Sequence, residues 1–579
     1  MKRTVIYVIS FVLVAFLGTS CEDYLEKPPG VDLTEDMIFD NEQNLEEFIN
    51  GTYWLGVTSD LGWQGREGGG GYAPCCDEGE ISMAWYFQHV WNRGALNAST
   101  GPTTHDTRWD DRWKALRRAN ILIERIGSIT FEPTNREYDY KNRVMGEALW
   151  IRAYNHFELF RKFGGIPKID KRLNMGDDMK IPRSSVEDIV KFIVKDCEDA
   201  AGLLPSSYAS NERGRIHKGA ALALKARTLL YAASPQFNTG NPYMSLGSDN
   251  NLICYGNTDV SRWEAAADAA LAVLTWAETE GKWCKLIDTD QPDKDYLTSW
   301  NVYDNSEIIL AQKASGAVGP WHWPFEPMTP KTQGQGGISV PLNFVMLYQK
   351  KDGTDQNWDL KNGGDDLLAK YSELDPRFAQ THAYHTSRWN NQIEKLDMTS
   401  GSVNNPLEQP CWGGVMAHKP VPYDLSSDHP IIPNVTLFRL AEFYLNYAEA
   451  LNEADPGTVV PEPARLKANV IRDRAGMPEF PVGMSKNDFR KAIKRERAIE
   501  LAYENHRLWD LRRWLDCEQD GVMKGDMYGI KIYPLENNPA DFKYVPYVFE
   551  KRFFPKYMYL NPFPQSEVNK GYIVQNPGY

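Results

Sequence analysis

The stretch HKGAALALKARTLLYAASP, His217 to Pro235, decides the fold. Its apolar residues do not form a stripe. They run nearly all the way round a 3.6-residue helix, and many of them are alanine. A helix that is apolar all round is buried. One built on alanine lets its neighbours approach closely, because small side chains shorten the interaxial distance. The stretch therefore predicts a helix enclosed by other helices.

Its surroundings supply those helices. RWDDRWKALRRANILIERIG puts Trp109, Trp113, Leu116, Asn120, Ile123 and Ile126 at three- and four-residue spacing. NRVMGEALWIRAYNHFELFRKFGG sets Met145, Ala148, Leu149, Ala153, Phe157 and Phe160 on one face and stops at Gly164-Gly165. SSVEDIVKFIVKDCEDAAGLLP has a serine cap, early acids and a terminal Leu-Pro. SRWEAAADAALAVLTWAE repeats the period through Trp263, Ala266, Ala270, Leu274 and Ala277. On these periodic faces Trp109, Trp113 and Trp263 read as core. Helices return at NVTLFRLAEFYLNYAEALNEA, PEPARLKANVIRDRAG and KNDFRKAIKRERAIELAYENHRLWDLRRWL.

Paired helices with alanines and aromatics at their contacts predict a mainly α fold, a tetratricopeptide-like helical-pair superhelix. It carries two large irregular, loop-rich inserts and little β-structure. The helical scaffold is expected over about 42–57, 104–280 and 434–516. The inserts fall at about 58–103 and 281–433, and an irregular segment closes the chain at 517–579. Loops held on a stable scaffold are where binding residues collect, so the inserts are the expected functional surfaces.

The chain opens MKRTVIYVISFVLVAFLGTSCEDYLEKPPG. Lys2 and Arg3 precede an apolar run, Val5 to Leu17, too short to span a bilayer. Small residues Gly18, Thr19 and Ser20 then lead to Cys21. Residues 1–20 read as a secretory signal peptide of the bacterial lipoprotein kind, with Cys21 acylated. Gly18 stands where such signals carry a large aliphatic residue. Residues 21–41, with Pro28-Pro29, form an extended tether. The net charge of −14 becomes −16 once the leader takes Lys2 and Arg3 away. An acidic chain has no electrostatic footprint for nucleic acid. The other seven of the eight cysteines show no zinc spacing and read mainly as buried thiols, with room for one bridge between loops.

Catalytic motifs are missing: there is no HExxH, GxSxG, Walker A or Rossmann fingerprint. Gly68–Gly71 reads as a flexible turn. Glu496, Glu500 and Glu504 recur every four residues among Arg495, Arg497, Arg507, Arg512 and Arg513. Carboxylates held by arginine make poor general acids, so this stretch predicts ion pairs between helices. DTDQPDKD, Asp288 to Asp295, lacks the glycine and terminal glutamate of a calcium loop and reads as a solvated acidic loop. No cofactor or metal is expected; a structural calcium ion would suit such a loop but is not predicted. His382 and His385 alone are too few for a metal site.

A sugar ring presents apolar C–H faces and a rim of hydroxyls. Flat indoles or phenols match the faces; amides, carboxylates and guanidinium groups match the rim. The first insert supplies Trp63, Arg66, Tyr72, Asp77, Trp85, Tyr86, His89, Trp91 and Asn92. The second supplies Trp321 and Trp323 in the proline-punctuated run GPWHWPFEP, with His322 and Phe325, and further on Trp358, Trp389, Asn390 and Trp412. Proline-stiffened loops lose less entropy on binding, which favours Trp321 and Trp323 as a preset platform. The competing reading of any one of these rings is core burial.

Several stretches together resemble the SusD/RagB family of nutrient-binding outer-membrane lipoproteins. They are CEDYLEKPP, GEALWIRAYNHFELFRKFGGIPKI, GRIHKGAALALKARTLLYAASP, ELDPRF, RLAEFYLNYAEALNE, RERAIELAYENHRLWDLRRW and the closing NPFP…QNPGY. Phe563 departs from the isoleucine usual between those prolines. The resemblance implies four tetratricopeptide-like pairs with an insert-built ligand face, and no catalysis. It implies lipid anchoring at the cell surface on the outer membrane, with Glu22 and Asp23 resembling an export signal. It further implies partnership with a SusC-like TonB-dependent transporter that receives glycans or oligosaccharides, or peptides in the RagB branch.

Overall fold

The computed structural model describes residues 34–58, 71–81, 86–99, 108–134, 137–209, 212–313, 337–401, 412–419, 421, 423 and 434–579. Helices dominate. In chain order they include α1 (Glu42–Gly56), α2 (Gln88–Asn92), α3 (Trp109–Arg125), α4 (Tyr140–Phe163), α5 (Val186–Leu203), α6 (Lys218–Ala233) and α7 (Ser261–Thr279). After a long insert come the short α8 (Pro376–Thr381), then α9 (Leu440–Ala454), α10 (Glu462–Arg474), α11 (Lys486–Glu500) and α12 (Arg507–Trp514).

Local chemistry sets these boundaries. Asp139 caps α4 by accepting the Asn142 N–H at 3.0 Å, and Gly164 ends it with φ of 76°. Ser185 caps α5 on the Asp188 N–H, and Ser485 caps α11 on the Asp488 N–H. The helices stack in order: α3 on α4, α4 on α5, α5 on α6, α6 on α7, as tetratricopeptide-like pairs do. Helix α7 then packs on α9, although the whole second insert separates them in sequence. The insert thus leaves the stack and returns to the same place.

Helix α6 is enclosed as its composition requires. Ala220, Ala221, Ala223, Leu224 and Ala226 are all inaccessible to solvent. A Cβ on Gly219 would lie 2.3 Å from the Trp276 ring of α7, so only glycine allows that approach. The one buried charge on α6, Arg227, is taken up by Glu442 of α9, with Nε 2.8 Å from Oε1. Trp109 is buried, and Trp113 and Trp263 are half-buried against the same cores.

The β-structure is small but decisive. Strands β1 (Glu80–Ile81), β3 (Ile338–Ser339), β5 (Val415–Ala417) and β4 (His382–Tyr384) form one sheet in the order β1-β3-β5-β4. Strand β1 belongs to the first insert and the other three to the second. Their pairing, Glu80 with Ser339 and Ile81 with Ile338, joins the two inserts. A separate antiparallel pair, β2 (Ile308–Lys313) with β6 (Asn434–Arg439), ties both ends of the second insert to each other. The closing segment, expected to be irregular, carries a long hairpin, β7 (Gly525–Pro534) and β8 (Phe542–Arg552). Ile530 and Ile532 point into the insert's own apolar core, which also holds Phe344, Tyr348, Trp358 and Trp389.

Helix α11 binds insert to scaffold through charge. Glu500 is fully buried and accepts from Arg439 of β6 at 2.8 Å, Arg377 of α8 at 3.0 Å, and Arg474 of α10. Glu496 takes Arg472 at 3.0 Å and Arg377 at 2.6 Å. Glu504 takes Arg439 at 2.7 Å and Lys419. Burial alone would raise the Glu500 pKa, but Arg474, Arg439 and Arg377 outweigh it and hold the carboxyl far below its usual range. The ion-pair reading of this stretch is the observed one.

Removing one partner from a buried pair strands the others, at a cost of about 3–5 kcal/mol. Glu500→Ala is therefore expected to lower stability by about that amount in denaturant unfolding. Lys195→Ala, which breaks an exposed pair with Asp199, should leave the midpoint where it is. Equal midpoints for Glu500→Ala and the parent would refute the clamp.

Candidate functional site

The first insert packs its residues inward more than its composition suggested. Tyr72 is 1% exposed and stands edge-on to Trp509 at 5.0 Å. Trp91 is 1% exposed under the Arg512 guanidinium. Asp77 is buried in a two-point pair with Arg507, at 2.9 and 2.7 Å. Asn92 is buried with its Nδ2 2.7 Å from Glu80 Oε2. Tyr86 is buried in the insert's core. A ring with both faces covered has none to offer a sugar, so these residues form the floor of the face, not its surface. His89 keeps 11% side-chain exposure. In the second insert Trp358 and Trp389 are core, and the Asn390 carboxamide accepts the Gln392 and Ile393 N–H groups of its own turn. Trp63, Arg66, Trp85, Trp321 and Trp323 lie outside the described residues, as does Cys21.

Three acidic residues of CCDEGEI fix this floor. Asp77 holds Arg507 of α12. Glu78 accepts the Tyr503 N–H at 2.6 Å, and its carbonyl accepts the Tyr503 hydroxyl at 3.2 Å. Tyr503 and Asn505 sit in the left-handed region, with φ of 59° and 60°, in the turn between α11 and α12. Asparagine tolerates that region; a tyrosine there is strained. The strain is held by its hydrogen bonds to Glu78 and to His382 Nε2 at 3.0 Å.

Glu80 is the centre of the third group. Its Oε1 lies 3.1 Å from His89 Nδ1. Its Oε2 takes Asn92 Nδ2 and Arg552 Nη2. Arg552 also donates from Nε to Glu550 Oε2 at 2.8 Å, and to the carbonyls of Cys76 and Gly79. Burial raises the Glu80 pKa, with Arg552 and His89 opposing it. Burial pushes Glu550 the same way, but Arg552 overcomes it and lowers that pKa. The result is a half-buried polar patch where β1, α2 and β8 meet. Beside it, Trp412 stacks on Phe549 at 5.6 Å and 12°, and the Tyr547 hydroxyl donates to the Trp412 carbonyl. The β7–β8 register shifts between Met527 and Tyr528, leaving Phe549 as the extra residue of a bulge.

Sequence reasoning did not find Glu80, Glu550, Arg552 or Tyr503. Glu80 was within reach, three residues after the chosen Asp77. Glu550 and Arg552 depended on a hairpin that was not anticipated. The acidic loop behaves as a loop: Asp288, Asp290 and Asp293 are exposed, while Asp295 accepts from Thr289 N at 2.7 Å and Gln291 N at 3.1 Å. The described cysteines, Cys75, Cys76, Cys197, Cys254, Cys284 and Cys517, are all buried. No helix among the described residues is long and apolar enough to cross a membrane.

Comparison with known proteins agrees with this architecture. The model of the SusD family matches residues 290–579. A second, described as starch-binding associating with outer membrane, matches residues 23–230. SusD-like protein P25 of Formosa agariphila is 22% identical over 538 residues, covering 89% of this chain and 91% of its own. A solved SusD-like protein of Bacteroides fragilis is 25% identical with a TM-score of 0.76, covering 94% of this chain and 99% of its own. Another from that organism, titled a SusD-like carbohydrate binding protein, is 20% identical with a TM-score of 0.68, covering 92% and 98%.

Glu78 makes the floor sensitive to pH. Burial pushes its pKa up to about 8, with the Tyr503 N–H opposing and Asp77 adding to the rise. Between its ordinary value of 4.5 and about 8, the folded chain keeps a proton that the unfolded chain has released. Stability from this group is thus full at low pH and falls as pH rises through that window. Glu78→Gln cannot ionise and should lose less thermal stability than the parent between pH 6 and pH 8.5. Identical slopes in the two proteins would show that Glu78 is not the group responsible.

Proposed function

The chain belongs to the SusD family, and from that premise we propose that it is a non-enzymatic, cell-surface binding protein for oligosaccharides. In this reading it is anchored in the outer membrane through acylated Cys21. It captures glycans and passes them to a SusC-like TonB-dependent transporter for nutrient uptake.

The observation that carries the proposal is the β1–β3 pairing. Ile81 pairs with Ile338. The segment bearing Trp85 begins at the residue after Ile81, and the segment bearing Trp321 and Trp323 ends just before Gly337. Two tryptophan-rich segments from distant parts of the sequence therefore spring from neighbouring strand ends. The polar patch of Glu80, His89 and Glu550 adjoins the same strand. Indole rings together with hydrogen-bonding groups are the composition a pyranose needs. Trp63, Arg66, Trp85, Trp321 and Trp323 are the proposed contacts, with His89 at the rim.

The pairing in this patch supports the non-enzymatic reading. Glu80 and Glu550 share one guanidinium. A guanidinium shared in this way fixes the position of both carboxylates. A solved relative titled as carbohydrate binding points the same way. The family's association with the outer membrane supports the location and, through it, the transporter partnership.

The double variant Trp321→Ala/Trp323→Ala should weaken binding at least tenfold, about 1.4 kcal/mol, on a panel of oligosaccharides read by calorimetry. Its melting temperature should stay at the parent's. A parallel peptide panel tests the RagB-type alternative: peptide binding without glycan binding would overturn the glycan reading. Cleavage of any bound oligomer by the pure protein would overturn the non-enzymatic one.

A further inference from the structure

Glu80, His89 and Glu550, the polar patch beside the proposed glycan site, form a group with a second chemical use. Each offers one ligand atom, and the three atoms lie within 4.8 Å of one another. We propose that they hold a divalent transition-metal ion, zinc by preference, linking the first insert to the C-terminal hairpin.

The oxygens of the two carboxylates are divided among partners. Arg552 takes Oε2 of both glutamates, Glu550 through Nε and Glu80 through Nη2. Asn92 adds a second donor to Glu80 Oε2. Arg552 is itself fixed by the Cys76 and Gly79 carbonyls. Arg552 thus holds one oxygen of each carboxylate, while Glu80 Oε1 meets His89 Nδ1 and Glu550 bonds to Glu80; a metal ion would take the place of the protons these three groups share. Outer hydrogen bonds that orient ligands in this way are a regular part of metal sites. Arg552 also offsets one of the two negative charges, so an ion of charge two meets a site of net charge about −1.

Spacing supports the choice of metal. Zinc–oxygen and zinc–nitrogen bonds of about 2.0–2.2 Å put tetrahedral ligands ~3.4 Å apart. Glu80 Oε1 and His89 Nδ1 already stand 3.1 Å apart. Two carboxylates with one imidazole suit zinc or a neighbouring transition ion better than calcium, which prefers an all-oxygen shell. Three protein ligands leave a fourth position open for water.

A second observation points to an occupant. Asn92 is 2% exposed, and its side chain is directed onto Glu80. Its Oδ1 has no hydrogen-bond partner. A buried orphan acceptor beside a candidate site calls for a donor, and a metal-bound water is one. An ion also has a way in: the side chains of His89 and Glu550 keep 11% and 22% exposure.

Zinc titrated by calorimetry into the chelator-stripped, full-length protein tests the site. One ion per chain is expected, with calcium giving no competing heat. His89→Ala and Glu550→Gln should each weaken zinc at least tenfold. Cobalt added to the parent should give the visible absorption of a four- or five-coordinate ion, a readout that needs no variant to fold. No bound zinc, or zinc bound equally by the parent and both variants, or an octahedral cobalt spectrum, would overturn the proposal. The measurement uses no glycan, so its outcome is independent of the ligand assignment.

Discussion

The docking of the second insert on the helices hangs on one buried carboxylate. Glu500 sits at the end of α11 with three guanidinium groups around it, from β6, α8 and α10. Placing so much charge inside a protein costs more in lost hydration than neat apolar packing would. What the arrangement supplies is direction. An apolar contact can slide; a carboxylate shared by three forks fixes the angle at which each element arrives. Arg377 comes from the second insert, while Arg439 and Arg474 come from the scaffold. Glu496 and Glu500, one helical turn apart on α11, and Glu504 in the turn that follows are thus the points at which the insert is docked.

The constraint continues into the next turn. Residues 501–506 cannot prolong α11, because Tyr503 and Asn505 take left-handed backbone. That reversal lets Tyr503 reach Glu78, Asn505 reach the Tyr72 N–H and Arg507 reach Asp77. Three successive anchors on the first insert are read out by one short turn. Strand β1 then pairs with β3 and meets Arg552 of β8. The first insert, the second insert and the hairpin are therefore held to each other and all referred back to α11.

Legibility in the sequence followed the range of the interaction. The helices could be read because their signal is local: the serine cap of α5, and the period of α3, α4 and α7. The ion pairs around Glu500 were legible in kind, since arginines flank the glutamates on one helix. Their partners were not, because Arg377 and Arg439 lie far off in sequence. Strands of two or three residues, such as β1 and β3, show no period at all. In β7 only Ile530–Tyr533 alternates cleanly, and the bulge at Phe549 breaks the pattern in β8. The site candidates were chosen by composition, and composition cannot tell a stacked indole from a packed one. Trp91 and Tyr72 went to the interior because Arg512 and Trp509 cover their rings.

The placement of charge explains how one scaffold can serve variable loops. The residues that fix the floor are buried and mutually satisfied: Asp77 with Arg507, Glu78 with Tyr503, Glu80 with Arg552. None needs a ligand to be stable. In sequence the segments bearing Trp85 and Trp321 adjoin the ends of β1 and β3, and Glu500 finds its three guanidinium partners elsewhere. A network satisfied within itself contributes to folding without relying on the loops that leave it.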